Sequence, residues 1–226
     1  MVRPADAIYK ENPPERTESN QMEMKEKKQK EEKHEERDLQ EKKQKENQRV
    51  LATKRLLGVA LIKLLKERTI HEISVRELCE KAGVNRSTFY NHYKSQYELW
   101  EDMTRQFLGA FEEKLPSPSA GDLDSIQECL TALLAFFAKH RDFSILLLNN
   151  QIDQTFAGRV FALPKVRALL GTIITDGADP YESDAIISFV ANGSYYLLLK
   201  WLKMEDRPDP GRQAEMMIRI SKRMFI

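Results

Sequence analysis

The sequence predicts an all-α protein, on three observations. From residue 48 onward, apolar residues recur at three- and four-residue spacing, the period of a helix face. Ser, Asn or Asp stands just before several of these runs, followed by Glu or Pro in the first turn, which is helix-starting chemistry. No segment shows the persuasive apolar–polar alternation of a half-buried strand, and no internal repeat occurs. Residues 73–100 sharpen this class. They read as two short helices joined at Gly83, with another starting at Ser95. That layout is a helix-turn-helix, so we expect a three-helix head on a larger helical body.

The elements follow in order. Residues 1–22 are polar, contain Pro4, Pro13 and Pro14, and show no period, which reads as disorder. Residues 23–47 hold nine basic and nine acidic residues and almost nothing apolar. Opposite charges four apart, such as Glu26–Lys30 and Glu41–Lys45, favour helix. Residues 1–47 are therefore expected to be a charged extension, disordered or a solvated helix. Leu57, Leu61, Leu64 and Leu65 mark an amphipathic helix over about 49–67. Ile70 and Ile73 are expected to pin the following loop to the core. Ser74 with Glu77 predicts a capping box opening the second helix, and Gly83 predicts its left-handed end. Asn85 is the natural cap of a third helix over about 86–92. Ser95 with Glu98 predicts a second capping box, opening a helix with Leu99, Trp100, Met103, Phe107 and Phe111 on its apolar side.

Residues 116–121, Pro-Ser-Pro-Ser-Ala-Gly, break the chain. Beyond them helices are expected at about 123–139, 142–152, 164–175, 181–203 and 210–224. Asp179-Pro180 and Asp209-Pro210 read as helix starts, with proline tolerated in the first turn. Three domains follow from this pass: 1–47, 48–94 and 95–226.

Charge is distributed unevenly under a net of +1. Residues 48–94 carry ten Lys or Arg against four Asp or Glu, a balance of +6, whereas residues 95–226 carry fourteen against eighteen. A basic segment on an acidic body is the footprint of a nucleic-acid reader, although charge alone also fits chance clustering. Cys79 and Cys129 are single and widely separated, which suggests buried thiols in a reducing compartment. His34, His71, His92 and His140 lack ligand spacing, so no metal site is expected. No cofactor motif and no recognisable nucleophile or acid–base pair is present, so an enzyme is not expected. The N-terminus has no apolar signal core, and no run of about 18 apolar residues stands out. The expectation is a cytoplasmic protein without a membrane segment.

The third helix would carry the reading side chains into a major groove. Arg86 opens it and suits bidentate contact to guanine; Asn91 suits adenine; Thr88 suits a thymine methyl or a phosphate. Arg76 can reach a phosphate or a guanine edge, and the amides behind Ser74 favour a phosphate oxygen. Tyr90, His92 and Lys94 suit backbone contacts. Each also has a plainer role: Tyr90 as a packing ring, His92 as a helix-end histidine, Lys94 as a solvated charge, Asn85 as a cap. Phe89 and Tyr93 read as core anchors.

The run Val84-Asn85-Arg86-Ser87-Thr88-Phe89-Tyr90-Asn91-His92-Tyr93-Lys94-Ser95, with Ile73 to Gly83 before it, resembles the signature of the tetracycline-repressor (TetR) family of bacterial regulators. The resemblance covers about residues 48–100. It implies a homodimer on a palindromic operator in double-stranded DNA, and a helical body that often binds a small apolar effector. Carried over, Ser74 and Arg76 would sit at the groove edge. Arg86, Ser87, Thr88 and Asn91 would face bases, and Tyr90, His92 and Lys94 would hold phosphates. Gln96 departs from the family, where Lys is common, and the long N-terminal extension departs too.

The resemblance also implies dimerisation through the last two helices. Ile186, Phe189, Val190, Gly193, Tyr196, Leu197 and Trp201, then Met217, Ile220 and Met224, supply apolar surface to be divided between core and interface. Phe107, Phe111, Phe137, Phe143 and Tyr195 are candidates to line an effector cavity, as are Phe136, Phe156 and Phe161. Ordinary core packing is the better reading of any one of them. Residues 144–156 resemble Gram-positive members, some of which recruit a protein partner instead. A repressor released by an effector is therefore the first expectation, and a partner-controlled regulator, including an activator, the second.

Overall fold

A computed structural model describes residues 16–119, 122–149, 152–153, 155–172 and 179–225. Ten α-helices and a short 3-10 turn make up the described elements, and none of them is a strand. By contacts the chain divides into residues 1–53 and residues 54–226.

Helix α1 spans Arg16–Leu65. Residues 16–22 are thus helical, where the prolines and missing period suggested disorder; the prolines all fall before Arg16, outside the described residues. Glu and Lys are good helix formers and need no core to stay helical in a charge-balanced run. Residues 39–49 are solvent-exposed throughout, with a Glu41–Lys45 pair at 3.9 Å.

In residues 54–226, the end of α1 buries Leu57, Ala60, Leu61, Leu64 and Leu65. A 3-10 turn, Ile70–Glu72, follows and buries Ile70. Its capping box, Thr69 with Glu72, was not anticipated: the Glu72 carboxylate accepts from the Thr69 amide at 2.8 Å and from its hydroxyl at 2.9 Å. Helices α2 (Val75–Ala82), α3 (Arg86–Tyr90) and α4 (Gln96–Lys114) complete the head and lead into the body.

The body comprises α5 (Leu123–Lys139), α6 (Arg141–Leu148), α7 (Phe156–Phe161), α8 (Pro164–Gly171), α9 (Pro180–Lys203) and α10 (Pro210–Phe225). Helix α7 was not predicted, because six residues with Gly158 inside show no readable period. Helices α6 and α8 are shorter than expected, and residues 150–151 and 173–175 of those predictions lie outside the described residues. Asp179 caps α9 by accepting from the Glu182 amide at 2.9 Å, with Pro180 in the first turn. Helix α10 packs chiefly on α5, and α9 on α6.

An aromatic cluster joins α4 to this body. The Phe107 ring lies 5.0–6.4 Å from the rings of Phe136, Phe137, Phe143, Phe156 and His140. Burial, together with Lys139 and Lys114, holds the His140 imidazole below its ordinary pKa. Two ion pairs also link head to body. Lys66 at the end of α1 meets Asp142 of α6 at 2.6 Å, and Arg159 of α7 meets Glu101 of α4 at 3.1 Å. Both thiols are buried; desolvation raises the Cys79 pKa and pushes that of Cys129 up to about 11.

The apolar residues of the last two helices divide. Val190, Trp201 and Met217 are buried, while Phe189, Gly193, Tyr196 and Ile220 face solvent. The Met224 side chain lies outside the described set. Helix α9 is long and apolar enough by composition to cross a membrane, a match not anticipated from the sequence. Val190, Leu198, Trp201 and Leu202 sit in the protein core, while only 28% of the apolar window is buried, and Trp201 donates from its indole nitrogen to the Pro208 carbonyl at 2.9 Å.

Candidate nucleic-acid interface

Three local devices build the candidate reading surface. First, the Ser74 hydroxyl oxygen accepts from the Glu77 amide at 3.2 Å and opens α2. The reciprocal half of the predicted box is missing, because the Glu77 carboxylate pairs with the Arg68 guanidinium. Second, Gly83 adopts φ +66°, where a Cβ would be strained. The Gly83 amide donates to the Glu80 carbonyl at 3.3 Å and the Val84 amide to that of Cys79 at 3.0 Å, which closes α2 in a Schellman motif. Third, the Asn85 side-chain oxygen accepts from the Ser87 amide at 3.0 Å and from its hydroxyl at 3.1 Å. Asn85 is therefore engaged as a cap. The Ser87 hydroxyl has spent its hydrogen and offers lone pairs outward.

Buried anchors hold α3. Phe89 is fully buried and Tyr93 is 4% exposed. The Tyr93 hydroxyl donates to Asp102 of α4 at 2.7 Å, and the same carboxylate oxygen accepts from Lys54 at 3.1 Å and Gln106 at 3.0 Å. The Lys54 ammonium also sits over the Tyr93 ring, 5.2 Å from its centroid. Desolvation, the largest influence on Asp102, pushes its pKa up. The hydrogen bonds from Tyr93, Lys54 and Gln106 together outweigh it, and the net shift is downward. Burial first, then Asp102, raises the Tyr93 pKa.

Against this frame, Ser74, Arg76, Asn85, Arg86, Ser87, Tyr90, Asn91 and Lys94 are exposed, and Thr88 and His92 are half-buried. Tyr90 is 52% exposed with its ring edge-on to Phe89, so most of it remains outside the core. His92 leans on Tyr93, ring centroids 6.4 Å apart. Arg76 pairs with Glu80 at 2.9 Å, both side chains well exposed. Such an exposed pair is weak and yields readily to a phosphate or a base. Arg86 meets no described carboxylate. The Lys94 amide donates to the Glu98 carboxylate at 2.7 Å; in the predicted Ser95–Glu98 box, only the Ser95 half is present, accepting from the Glu98 amide at 3.4 Å.

Gln96 turns inward, donating to the Ile70 carbonyl at 3.4 Å, so its amide ties the loop to α4. Beside it, sequence reasoning passed over a pair. The hydroxyl of Tyr97, in the first turn of α4, lies 2.6 Å from Nδ1 of His71 in the 3-10 turn, both side chains exposed. The available signal was a polar-tipped aromatic two residues past a helix cap.

The body holds a cavity of about 270 Å³ between α5, α6, α7, α8, α9 and α10. Phe137, Phe161 and Tyr195 line it; Phe107, Phe111 and Phe143 do not. Those three pack ring against ring in the aromatic cluster, where their faces are already covered. Phe136 and Phe156 belong to the same cluster. The Tyr195 hydroxyl donates to the Leu148 carbonyl at 2.8 Å.

A short exposed helix with polar and basic side chains, set by a glycine turn on a buried aromatic anchor, defines a DNA-binding helix-turn-helix of a transcription regulator. Comparison with known proteins narrows the class. Residues 59–103 match the family of bacterial regulatory proteins, tetR family, and residues 124–223 match a transcriptional regulator C-terminal region of that family. The chain belongs to the TetR family. It is 27% identical over 155 residues to the uncharacterised HTH-type transcriptional regulator YxbF of Bacillus subtilis, an alignment covering 67% of this chain and 40% of that protein. The chain thus spans less than half the length of that relative. It is 26% identical over 145 residues to the HTH-type dhaKLM operon transcriptional activator DhaS of Lactococcus lactis, covering 62% and 72%. The solved TetR transcriptional regulator of Streptococcus agalactiae shares the fold, with a TM-score of 0.58 at 23% identity over 78% of this chain and 97% of that one.

Proposed function

We propose that this chain is a cytoplasmic, homodimeric, sequence-specific repressor that binds a palindromic operator and is released when a small molecule occupies the body cavity. The observation that carries the reading is the outer face of α3. Arg86, Ser87 and Asn91 are exposed there, Thr88 is half-buried, and Phe89 is fully buried behind them. Arg86, Thr88 and Asn91 would read base edges, and Ser74, Arg76, Tyr90, His92 and Lys94 would hold phosphates and set register. The exposed stripe of Phe189, Gly193 and Tyr196 on α9, with Ile220 on α10, supports a two-fold interface between copies. An effector would act only through unequal affinity for the two dispositions of the heads.

Selection of binding sites from random DNA tests this directly. We expect an inverted repeat, steep loss of affinity with salt, and a loss of about 1–3 kcal/mol with relaxed preference at one base per half-site in Arg86→Ala. Equal affinity for the selected and a scrambled site across salt concentrations would overturn the proposal. A second reading, an activator governed through its C-terminal region by a protein partner, is favoured by the likeness to a protein described as a transcriptional activator. It predicts that operator binding is indifferent to occupation of the cavity.

A further inference from the structure

We propose that the body cavity takes a medium-chain carboxylate, with its alkyl chain among the apolar walls and its carboxylate at Lys222. This rests on the reading of the cavity as the effector site and names the ligand chemistry. The walls come from Leu130, Leu133, Phe137, Val166 and Leu169, among other aliphatic residues. Such walls reject a ligand with several polar groups, because each would lose water without gaining a partner. The hydroxyls at the cavity are largely committed. Tyr195 donates to the Leu148 carbonyl at 2.8 Å and Ser221 donates to that of Met217 at 3.1 Å.

Lys222 is the only formally charged group among the described lining residues, and no described carboxylate pairs with it. It stands in the last turn of α10 with its side chain exposed, which puts the ammonium at the rim. A carboxylate placed there keeps part of its hydration and gains an opposite charge, while an ammonium headgroup would meet repulsion. Volume bounds the size of the ligand. A cavity of about 270 Å³ has room for a medium-length alkyl chain and not for a bulky ring system with several polar groups.

Titration calorimetry on the full chain without DNA tests the proposal, using decanoate below its micellar concentration, 1-decanol, decylamine and butyrate. Decanoate is expected to bind at one molecule per chain and more tightly than the other three. Lys222→Gln should weaken decanoate about fivefold and leave decanol unchanged. Leu133→Trp, which fills the cavity from α5, should abolish decanoate binding; Ala191→Phe fills it from α9 and serves if the first variant loses its cooperative thermal transition. The proposal is overturned if decanoate does not bind, if decanol or decylamine binds as tightly, if Lys222→Gln leaves decanoate affinity unchanged, or if a folded cavity-filled variant still binds. Because no DNA is present, failure of operator recognition would sink the regulator reading and leave these outcomes standing. A chain that selects an operator but binds no carboxylate would do the reverse.

Discussion

Asp102→Asn should destabilise the protein by about 2 kcal/mol at neutral pH. One carboxylate oxygen of Asp102 accepts three hydrogen bonds, and the side chain is only 17% exposed. The bond from Tyr93 is the strong one: the donor is buried, the acceptor is charged, and the distance is 2.7 Å. Bonds of that kind contribute about 1.5–3 kcal/mol. The Lys54 pair, with the lysine side chain 31% exposed, adds at most about 1 kcal/mol after solvent screening. Asparagine keeps the shape and one acceptor and loses the charge, which removes part of both contributions. With a urea m-value of about 2–3 kcal/mol/M, the unfolding midpoint should fall by roughly 0.7–1 M. A double-mutant cycle with Tyr93→Phe should show about 1 kcal/mol of coupling. The pH dependence has a definite sign. The folded pKa of Asp102 is depressed, so its contribution is fully present above the ordinary aspartate value of about 3.9 and is lost as pH falls through the lower folded value. The gap between parent and variant should therefore close on acidification. Strict additivity with Tyr93→Phe, or a gap that widens toward low pH, would refute the assignment of this carboxylate as the tie between α3 and α4.

Three further perturbations follow. Gly83→Ala should cost about 1–2 kcal/mol in chemical denaturation, since φ is +66° and no neighbour lies within 4 Å of an added Cβ; a neutral result would remove the backbone argument. Phe107→Ala should cost about 3–5 kcal/mol, because five rings lose contacts around the space it leaves, and a loss below about 1 kcal/mol in the same experiment would show that the cluster collapses onto the gap. Phe189→Asp should shift sedimentation from dimer to monomer; retention of a dimer would move the interface off this face of α9.

What could be read from the sequence was local in the chain. Ser74, Asn85, Ser95, Asp179 and Gly83 each act within a few residues of themselves, and the chemistry that makes a cap or a left-handed turn is the same in any fold. The reading face of α3 followed from the same logic, because Phe89 and Tyr93 mark the inward side and leave Arg86 and Asn91 outward. Partners distant in sequence were not readable. Glu77 is drawn from its expected place in a capping box to Arg68, nine residues back across the 3-10 turn, a donor that only the folded chain brings close. Asp102 gathers Lys54 from 48 residues away. Eight aromatic candidates were equivalent as residue types. Only three-dimensional packing keeps Phe107, Phe111 and Phe143 inside the ring cluster, puts Phe161 and Tyr195 on a cavity wall, and lets Phe137 serve both.

Helix α7 is six residues long and has three attachments, one of them the buried Phe156 ring 6.4 Å from that of Phe107 on α4. Val160 and Phe161 form part of the cavity wall, and Arg159 between Gly158 and Val160 grips Glu101 on the helix that supports the reading head, as well as Asp153 at 3.2 Å. A segment so short has too little independent core to yield at one attachment and hold at the others. Volume gained or lost behind Phe161 would therefore reach α4 by two routes, the Arg159–Glu101 pair, whose grip salt weakens, and the Phe156 ring on Phe107. Wall and tether are a single piece.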